Sequence, residues 1–293
     1  MDAVAVRSVE KTDYIGASSN LATIISQPPD GCSPERPAVL FLNAGIVHRI
    51  GPSRLHVKLA RRLAEDGLLC ARFDHSGIGD SGARRGTMEF MEAAVAEVQD
   101  VMDTLTGRYG SQRFIVFGLC SGADVGFEAA VADDRIAGVV QLDPWFYPTP
   151  RARWIHYKRH YGPQLIKPSA WLRFMKNRVQ EIGKGSKSAD LEEWFSKPEY
   201  IRITPAREHV LTGLSKLVKR DAKMLSIFSG TKAFGIYAYE RQFFDAFPEI
   251  ALESNMSVHH FADTTHLFTD LEHQASLARV LQAWLVKNGF LPT

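Results

Sequence analysis

The chain has 293 residues, 45% of them hydrophobic, which is enough to bury a large core in one domain or two. Its longest apolar stretch, around "AVLFLNAGIV", is far too short for a membrane span, and the charged N-terminus has no signal-like apolar segment. The three cysteines (Cys32, Cys70 and Cys120) lack metal-ligand spacing. We therefore expect a cytoplasmic protein without a metal, a cofactor or a membrane span.

The predicted elements alternate between strands and helices. In chain order they are a hairpin over 14–29, a strand over 37–45, a helix over 53–67, a strand over 68–77, a helix over 87–105 that Thr87 caps, a strand over 113–119, a helix over 121–134, a strand over 136–144, a strand over 223–231, a helix over 240–247, a strand over 255–263 and a helix over 271–289. This order predicts an α/β fold with a mostly parallel sheet that helices cover on both faces.

A basic segment interrupts this alternation, and we interpret residues 146–221 as a helical insertion in a core formed by 1–145 and 222–293. Residues 146–223 contain 17 Lys and Arg against 7 Asp and Glu, although the whole chain carries only +2. The segment is also aromatic, and it could cover the site as a lid with Trp145 and Tyr157 touching the substrate. No recognised nucleic-acid module accompanies the charge, so an anionic small-molecule donor is the better partner.

The stretch "FGLCSGAD" predicts a sharp turn from a strand into a helix, with a nucleophile at its tip. Such an elbow needs small residues two positions before and two after the nucleophile, because the backbones approach closely there. Gly118 and Gly122 meet this requirement for Cys120, whereas the flanking residues of Ser121 are too large. Cys120 is therefore the predicted nucleophile, and Ser121 offers its backbone N–H to an oxyanion hole.

Two further roles follow from chain order. His266 comes after the last predicted strand and before the last helix, which suits the base that activates Cys120, while His259 and His260 lie within that strand and are weaker candidates. The glycine-containing turn after the strand over 37–45 should supply the second oxyanion donor, for which we choose the N–H of Ile46.

From about Ala38 to Trp284 the chain resembles the α/β-hydrolases, and most closely the exosortase A system-associated hydrolases. The resemblance lies in the "GLC" elbow and in "RFDHSGIGDS", "LDPW" and "YKRHYGPQLIKPSAWLRFMKNR". It implies an α/β-hydrolase fold with a catalytic triad. Relatives usually carry the triad acid in an "SGxD" pattern after the penultimate strand, but Lys232 stands at that position here. Asp143 at the end of the strand over 136–144 is our first choice for the acid, and Glu240 is the second.

A thiol beside a helix N-terminus and a histidine can attack a carbonyl near neutral pH. Exchange of one thioester for another involves little change in bond energy, so acyl-coenzyme A or an acyl carrier protein is a suitable donor class. The sequence thus predicts an enzyme that transfers or hydrolyses an acyl group from an ester or thioester. The alternatives are a generic carboxylesterase and a non-catalytic binding protein with the same fold, the latter suggested by Lys232.

Overall fold

The computed structural model describes residues 8–17, 20–83, 87–155, 158, 202, 204–230 and 237–292, and one eight-stranded sheet organises them. The strands are β1 (Val9–Ile15), β2 (Leu21–Gln27), β3 (Ala38–Phe41), β4 (Cys70–Phe73), β5 (Phe114–Leu119), β6 (Ile136–Leu142), β7 (Lys223–Ser229) and β8 (Met256–Phe261). Across the sheet their order is β1, β2, β4, β3, β5, β6, β7, β8.

Most of this sheet is parallel, as the alternation of elements predicts. The hairpin of β1 and β2 is antiparallel and joins β4 in antiparallel register, and every pairing from β4 to β8 is parallel. A parallel sheet places the carboxyl ends of its strands along one edge, where loops can bring side chains together.

Helices cover both faces of the sheet. They are α1 (Leu55–Glu65), α2 (Phe90–Tyr109), α3 (Ser121–Ala132), α4 (Arg207–Lys219), the short α5 (Gln242–Ala246) and α6 (Leu271–Lys287). The buried side chains of α1 and α6 share one hydrophobic cluster, while those of α2, α3 and α4 belong to the other. The α/β-hydrolase fold expected from the sequence is present.

β5 illustrates why a strand in this sheet is an almost continuous apolar run. Phe114 and Val116 point into the cluster under α2 and α3, and Ile115 and Phe117 point into the cluster under α1 and α6. Since successive side chains alternate between faces and both faces are covered, every position of the strand is buried.

Two helix starts differ in how they are capped. The Asp270 carboxylate accepts hydrogen bonds from the N–H groups of Glu272 and His273, which caps α6. The prediction that Thr87 caps α2 is wrong. This helix begins at Phe90 after Glu89, which makes no side-chain capping bond, so Thr87 lies two residues before the N-cap position.

Most of the predicted insertion lies outside the described residues, so its role as a lid stays a prediction. Its last part, α4, packs against α3, with Val210, Leu214 and Leu217 in the same cluster as Phe127. In the part of the chain that the structure describes, no helix combines the length and the apolar character needed to cross a bilayer.

Candidate active site

Three strand ends bring Cys120, Asp143 and His266 together. Cys120 follows β5, Asp143 follows β6, and His266 lies in the loop between β8 and α6. Nδ1 of His266 lies 2.6 Å from Oδ2 of Asp143. The Cys120 thiol is close enough to the His266 imidazole to contribute to raising its pKa. The three side chains thus meet at the carboxyl edge of the sheet, in the arrangement that a nucleophile, a base and an orienting acid require.

Cys120 occupies the tip of the strand-to-helix turn. Its φ of 56° and ψ of −121° are costly for a residue with a side chain, and its N–H is held by the carbonyl oxygen of Leu142 at 2.9 Å. A Cβ on Gly118 would collide with the backbone of Gly122, and a Cβ on Gly122 would collide with the carbonyl oxygen of Asn43. The two glycines are therefore required by the packing around the elbow, as the sequence pattern suggests.

The pKa of His266 reflects opposing influences. Burial lowers it, but the hydrogen bond to Asp143, followed by the hydrogen bond to Cys120 and the charges of both partners, outweighs burial and raises the pKa to about 9. His266 therefore carries a proton near neutral pH while it contacts the sulfur of Cys120. Such a ring can protonate a leaving group once the sulfur has attacked.

Asp143 is held by the neighbouring strand. Its Oδ1 accepts the N–H of Ser229 at 2.6 Å, its Oδ2 accepts the Ser229 hydroxyl at 2.7 Å, and its own N–H donates to the carbonyl oxygen of Ile227 at 2.7 Å. Its φ of 47° turns the chain at the end of β6. These contacts fix the carboxylate toward His266 and leave it 9% exposed as a residue.

Ser229 was not predicted from the sequence, and neither was Arg202, a second residue that contacts Asp143. The Nη1 of Arg202 donates to the backbone oxygen of Asp143 at 2.7 Å, while its Nε and Nη2 pair with the carboxylate of Asp124. Asp124 lies one turn after Cys120 on α3 and is 3% exposed. Burial raises the pKa of Asp124 to about 6 even though Arg202 opposes this shift, so the pair is ionised at neutral pH.

The loop after β3 places another backbone donor beside the elbow. The N–H of Gly45 donates to the Ser121 hydroxyl at 2.7 Å, and Gly45 has a φ of 58°. The side-chain amide of Asn43 fixes this turn by donating to the carbonyl oxygen of Val47 at 3.0 Å. Because the Gly45 N–H is paired with the Ser121 hydroxyl, the N–H of Ile46, the next residue of the turn, stays the candidate for the second oxyanion donor.

The other predicted site residues are not part of this cluster of contacts. Glu240 is exposed, and its backbone oxygen accepts the Tyr237 hydroxyl. Trp145 is buried with its ring edge-on to Phe127, and its Nε1 has no hydrogen-bond partner among the described residues. Tyr157 and Lys232 lie outside those residues. Substrate contact by Trp145 or Tyr157 stays a prediction.

The three cysteines occur as free thiols in different surroundings. Cys120 is half-buried, Cys70 is fully buried in the core, and Cys32 is half-buried in a loop. Burial raises the thiol pKa of Cys32, and it raises that of Cys70 much further. Among the residues that the structure describes, no group of three or more His, Cys, Asp or Glu side chains could hold a metal ion.

Comparison with known proteins agrees with this architecture. Residues 37–219 match the family model described as serine aminopeptidase, S33. An α/β serine hydrolase without a lid from Xanthomonas campestris is 14% identical and superposes with a TM-score of 0.54 over 98% of this chain and 96% of that one. An esterase from Pyrococcus furiosus is 14% identical and superposes with a TM-score of 0.57 over 96% of this chain and 92% of that one. An epoxide hydrolase from Vigna radiata is 14% identical and superposes with a TM-score of 0.51 over 96% of this chain and 98% of that one.

Identities this low carry the fold alone, and no curated protein matches the chain in sequence. The family model, in contrast, spans more than half of the chain, including the elbow at Cys120 and the acid candidate Asp143. The chain therefore belongs to the serine aminopeptidase S33 family and is a hydrolase of the α/β-hydrolase superfamily.

Proposed function

We propose that this hydrolase cleaves or transfers acyl groups through a cysteine nucleophile, Cys120, with His266 as base and acid and Asp143 as its orienting partner. The observation that carries the proposal is the chain of contacts from the Cys120 thiol through the His266 imidazole to the Asp143 carboxylate. Although the family is described as serine-type, the residue at the elbow here is cysteine.

Ser121 is a poor alternative nucleophile. It is the first residue of α3, and its hydroxyl accepts the N–H of Gly45. The strained backbone that presents a nucleophile belongs to Cys120, and the contact of His266 is likewise with Cys120. The backbone N–H of Ser121 instead lies at the N-terminus of α3, where it can stabilise an oxyanion.

The reaction follows from this arrangement. His266 takes the proton of the Cys120 thiol, and the sulfur forms a bond to the carbonyl carbon of the donor. The negative charge moves to the carbonyl oxygen, where the backbone N–H groups of Ser121 and Ile46 stabilise it. When the tetrahedral intermediate collapses, the bond to the leaving oxygen or sulfur breaks and His266 supplies its proton. His266 then removes a proton from water or another acceptor, which attacks the acyl thioester and frees Cys120.

The thiol favours a thioester donor over an oxoester. Attack on an oxoester must create a higher-energy thioester, while attack on a thioester exchanges like for like. A donor on coenzyme A or an acyl carrier protein is also anionic, and the segment 146–223 carries ten more basic than acidic residues. Attraction between exposed charges acts over about 8 Å at physiological ionic strength, so the thioester reaction should weaken with added salt.

The test is acylation of the protein by octanoyl-coenzyme A and by p-nitrophenyl octanoate at low and high salt, followed by intact mass and peptide mapping. We expect one adduct, on Cys120, that forms faster from the thioester and is lost in Cys120→Ala. The matched control is Cys32→Ala, which removes a thiol outside the site and should leave acylation intact. An adduct on Ser121 would overturn the cysteine mechanism.

The two alternatives give different results in the same experiment. A generic carboxylesterase would react faster with the p-nitrophenyl ester at every salt concentration. A binding protein without catalytic function would form no adduct with either donor, and iodoacetamide would label Cys120 no faster than Cys32. We expect instead that Cys120 is alkylated first, and that His266→Ala slows this alkylation.

A further inference from the structure

An open cleft lies beside the elbow, and the proposed mechanism gives it no role. It encloses about 760 Å³, and its walls include Gly45 and Ser121, the two residues that meet at the candidate oxyanion hole. Its large apolar lining residues are Ile46, Ile78, Met88 and Phe90. The cleft is therefore continuous with the place where a substrate carbonyl oxygen would lie.

Several large hydrophobic side chains that line this cleft are exposed to solvent. Among the described residues eight large hydrophobic side chains are exposed, and three of them line this cleft: Ile46 at 91%, Met88 at 50% and Phe90 at 40%. The described lining contains no Asp, Glu, Lys or Arg. A concentration of exposed apolar side chains next to the proposed nucleophile is typical of a site that binds an apolar ligand.

One wall of the cleft is rigidly supported from behind. Ser76 donates from both its N–H and its hydroxyl to the carboxylate of Glu97 on α2, and the Nδ1 of His75 lies 2.8 Å from the same carboxylate. Ser76 is 5% exposed and His75 is 1% exposed. This wall is thus held in place by buried hydrogen bonds to α2, which lowers the cost of ordering it on binding.

The position of the cleft decides which part of the substrate it takes. A tetrahedral intermediate on Cys120 carries the oxyanion, the acyl chain and the leaving group, and the leaving group must face His266 to receive its proton. The described lining includes the oxyanion candidates but no residue of the loop that carries His266. The acyl chain is the remaining substituent, and it can extend from the oxyanion hole into the cleft.

Building on the proposed function, we infer that the cleft between the Gly45–Ile46 turn and Phe90 binds a linear, apolar acyl chain and makes the enzyme selective for such chains. Each methylene group that is fully buried is worth about a fourfold gain in kcat/KM, and about twofold is expected in a cleft open to solvent. Octanoyl donors should then react about 60-fold faster than acetyl donors.

The experiment compares Cys120 acylation by acetyl, butyryl and octanoyl thioesters in the wild type and in Ile78→Trp, which places a bulky ring in the cleft. We expect the substitution to lower kcat/KM for the octanoyl donor about tenfold and to change it less than twofold for the acetyl donor. Met88→Trp, at a more exposed position, should act in the same direction. The matched control is Val9→Trp, on the edge strand β1 and 53% exposed, which should change neither rate.

The outcomes separate the two proposals. If acetyl donors acylate Cys120 but octanoyl donors are no faster, or if both cleft substitutions slow all three donors equally, the cleft does not bind the acyl chain and the proposed function stands. If no donor acylates Cys120 while iodoacetamide still labels it first, the proposed function fails and the acyl-chain assignment with it. Equal thermal stability of Met88→Trp and Val9→Trp excludes loss of folding as the cause.

Discussion

The ends of β6 and β7 differ in what they contribute to the proposed triad acid, which relatives of the resembled family place in the loop after the penultimate strand. In those relatives the acid follows the penultimate strand in an "SGxD" pattern. In this chain β7 ends in Ser229 and is followed by Lys232 in the acid position, whereas Asp143 directly follows β6. Ser229 contributes a backbone N–H and a hydroxyl that hold the Asp143 carboxylate.

Under the proposed assignment of Asp143 as the acid, the location of the carboxylate at the sheet edge matters more than the strand that supplies it. β6 and β7 are adjacent and parallel, with Leu142 paired to Ile227, so their carboxyl ends lie about 5 Å apart. A side chain from either end can reach the loop of His266. β7, which lacks the carboxylate here, instead provides the hydrogen-bond donors of Ser229 that hold Asp143.

The largest effect should come from the acid itself. Asp143→Asn keeps the shape of the side chain but removes the charge that raises the pKa of His266, so we expect kcat/KM for acyl donors to fall about 10²- to 10³-fold. Loss of the acid costs about 10⁴-fold in a serine triad, and a cysteine depends on it less. Glu240→Gln is the matched control and should remain within twofold of the wild type. The opposite ranking would assign the acid role to Glu240.

The pH dependence of acylation tests whether Asp143 raises the pKa of His266. Because the pKa of His266 is raised to about 9, the imidazolium is available below that pH and is lost as the pH rises through it. Acylation by octanoyl-coenzyme A should therefore fall about tenfold per pH unit above pH 9, while alkylation by iodoacetamide, which needs no proton donor, should not fall. In Asp143→Asn the decline should start at a lower pH. If the acylation rate of Asp143→Asn declines over the same pH range as that of the wild type, Asp143 does not determine the pKa of His266.

A smaller effect is expected at Arg202, which ties Asp143 to Asp124. Arg202→Met removes the donor to the Asp143 carbonyl oxygen and leaves the buried Asp124 carboxylate unpaired, so both kcat and Tm should decrease, kcat by about tenfold. The double variant Arg202→Met/Asp124→Asn removes the unpaired charge. It should recover much of the Tm but not the kcat. Recovery of both would show a purely structural role for the pair.

The smallest effect tests the support from β7. Ser229→Ala removes one of the two donors that Ser229 offers to Asp143 and leaves the backbone N–H in place. A hydrogen bond to a charged group contributes about 1.5 kcal/mol, so kcat/KM should fall about tenfold at most, and less if water replaces the hydroxyl. Ser215→Ala, at an exposed hydroxyl on α4, is the control. A decrease in kcat/KM as large as that of Asp143→Asn would mean that the Ser229 hydroxyl does more than donate one hydrogen bond to Asp143.

Patterns along the chain led to Cys120, His266 and Asp143, although they left Glu240 open as the alternative acid. Cys120 and His266 follow predicted strands and Asp143 stands at the end of one, and in a parallel sheet such positions meet at one edge. The pattern around Gly118 and Gly122 then selects the residue at the elbow, because only small residues fit there. These predictions depend on local patterns and on the direction of strands, both of which can be read along the chain.

The residues that were missed depend on contacts between distant segments. Ser229 lies 86 residues from Asp143 and Arg202 lies 59 residues from it, and no local pattern announces either contact. The choice between Gly45 and Ile46 depends on a turn that the side chain of Asn43 fixes. Sequence spacing locates such a turn but not the direction of each N–H within it.

The direction of the strands also separates the thiols of this enzyme. Cys70 begins β4 and the loop of Cys32 precedes β3, so both lie toward the amino edge of the parallel strands, whereas Cys120 follows the carboxyl end of β5. Cys70 aligns through β3 with Ile115, five residues before Cys120, which corresponds to about 16 Å and exceeds the reach of a disulfide. A sulfenic acid formed on Cys120 by peroxide would thus have neither thiol as a resolving partner. Recovery from oxidation would require a small thiol that can enter the active site.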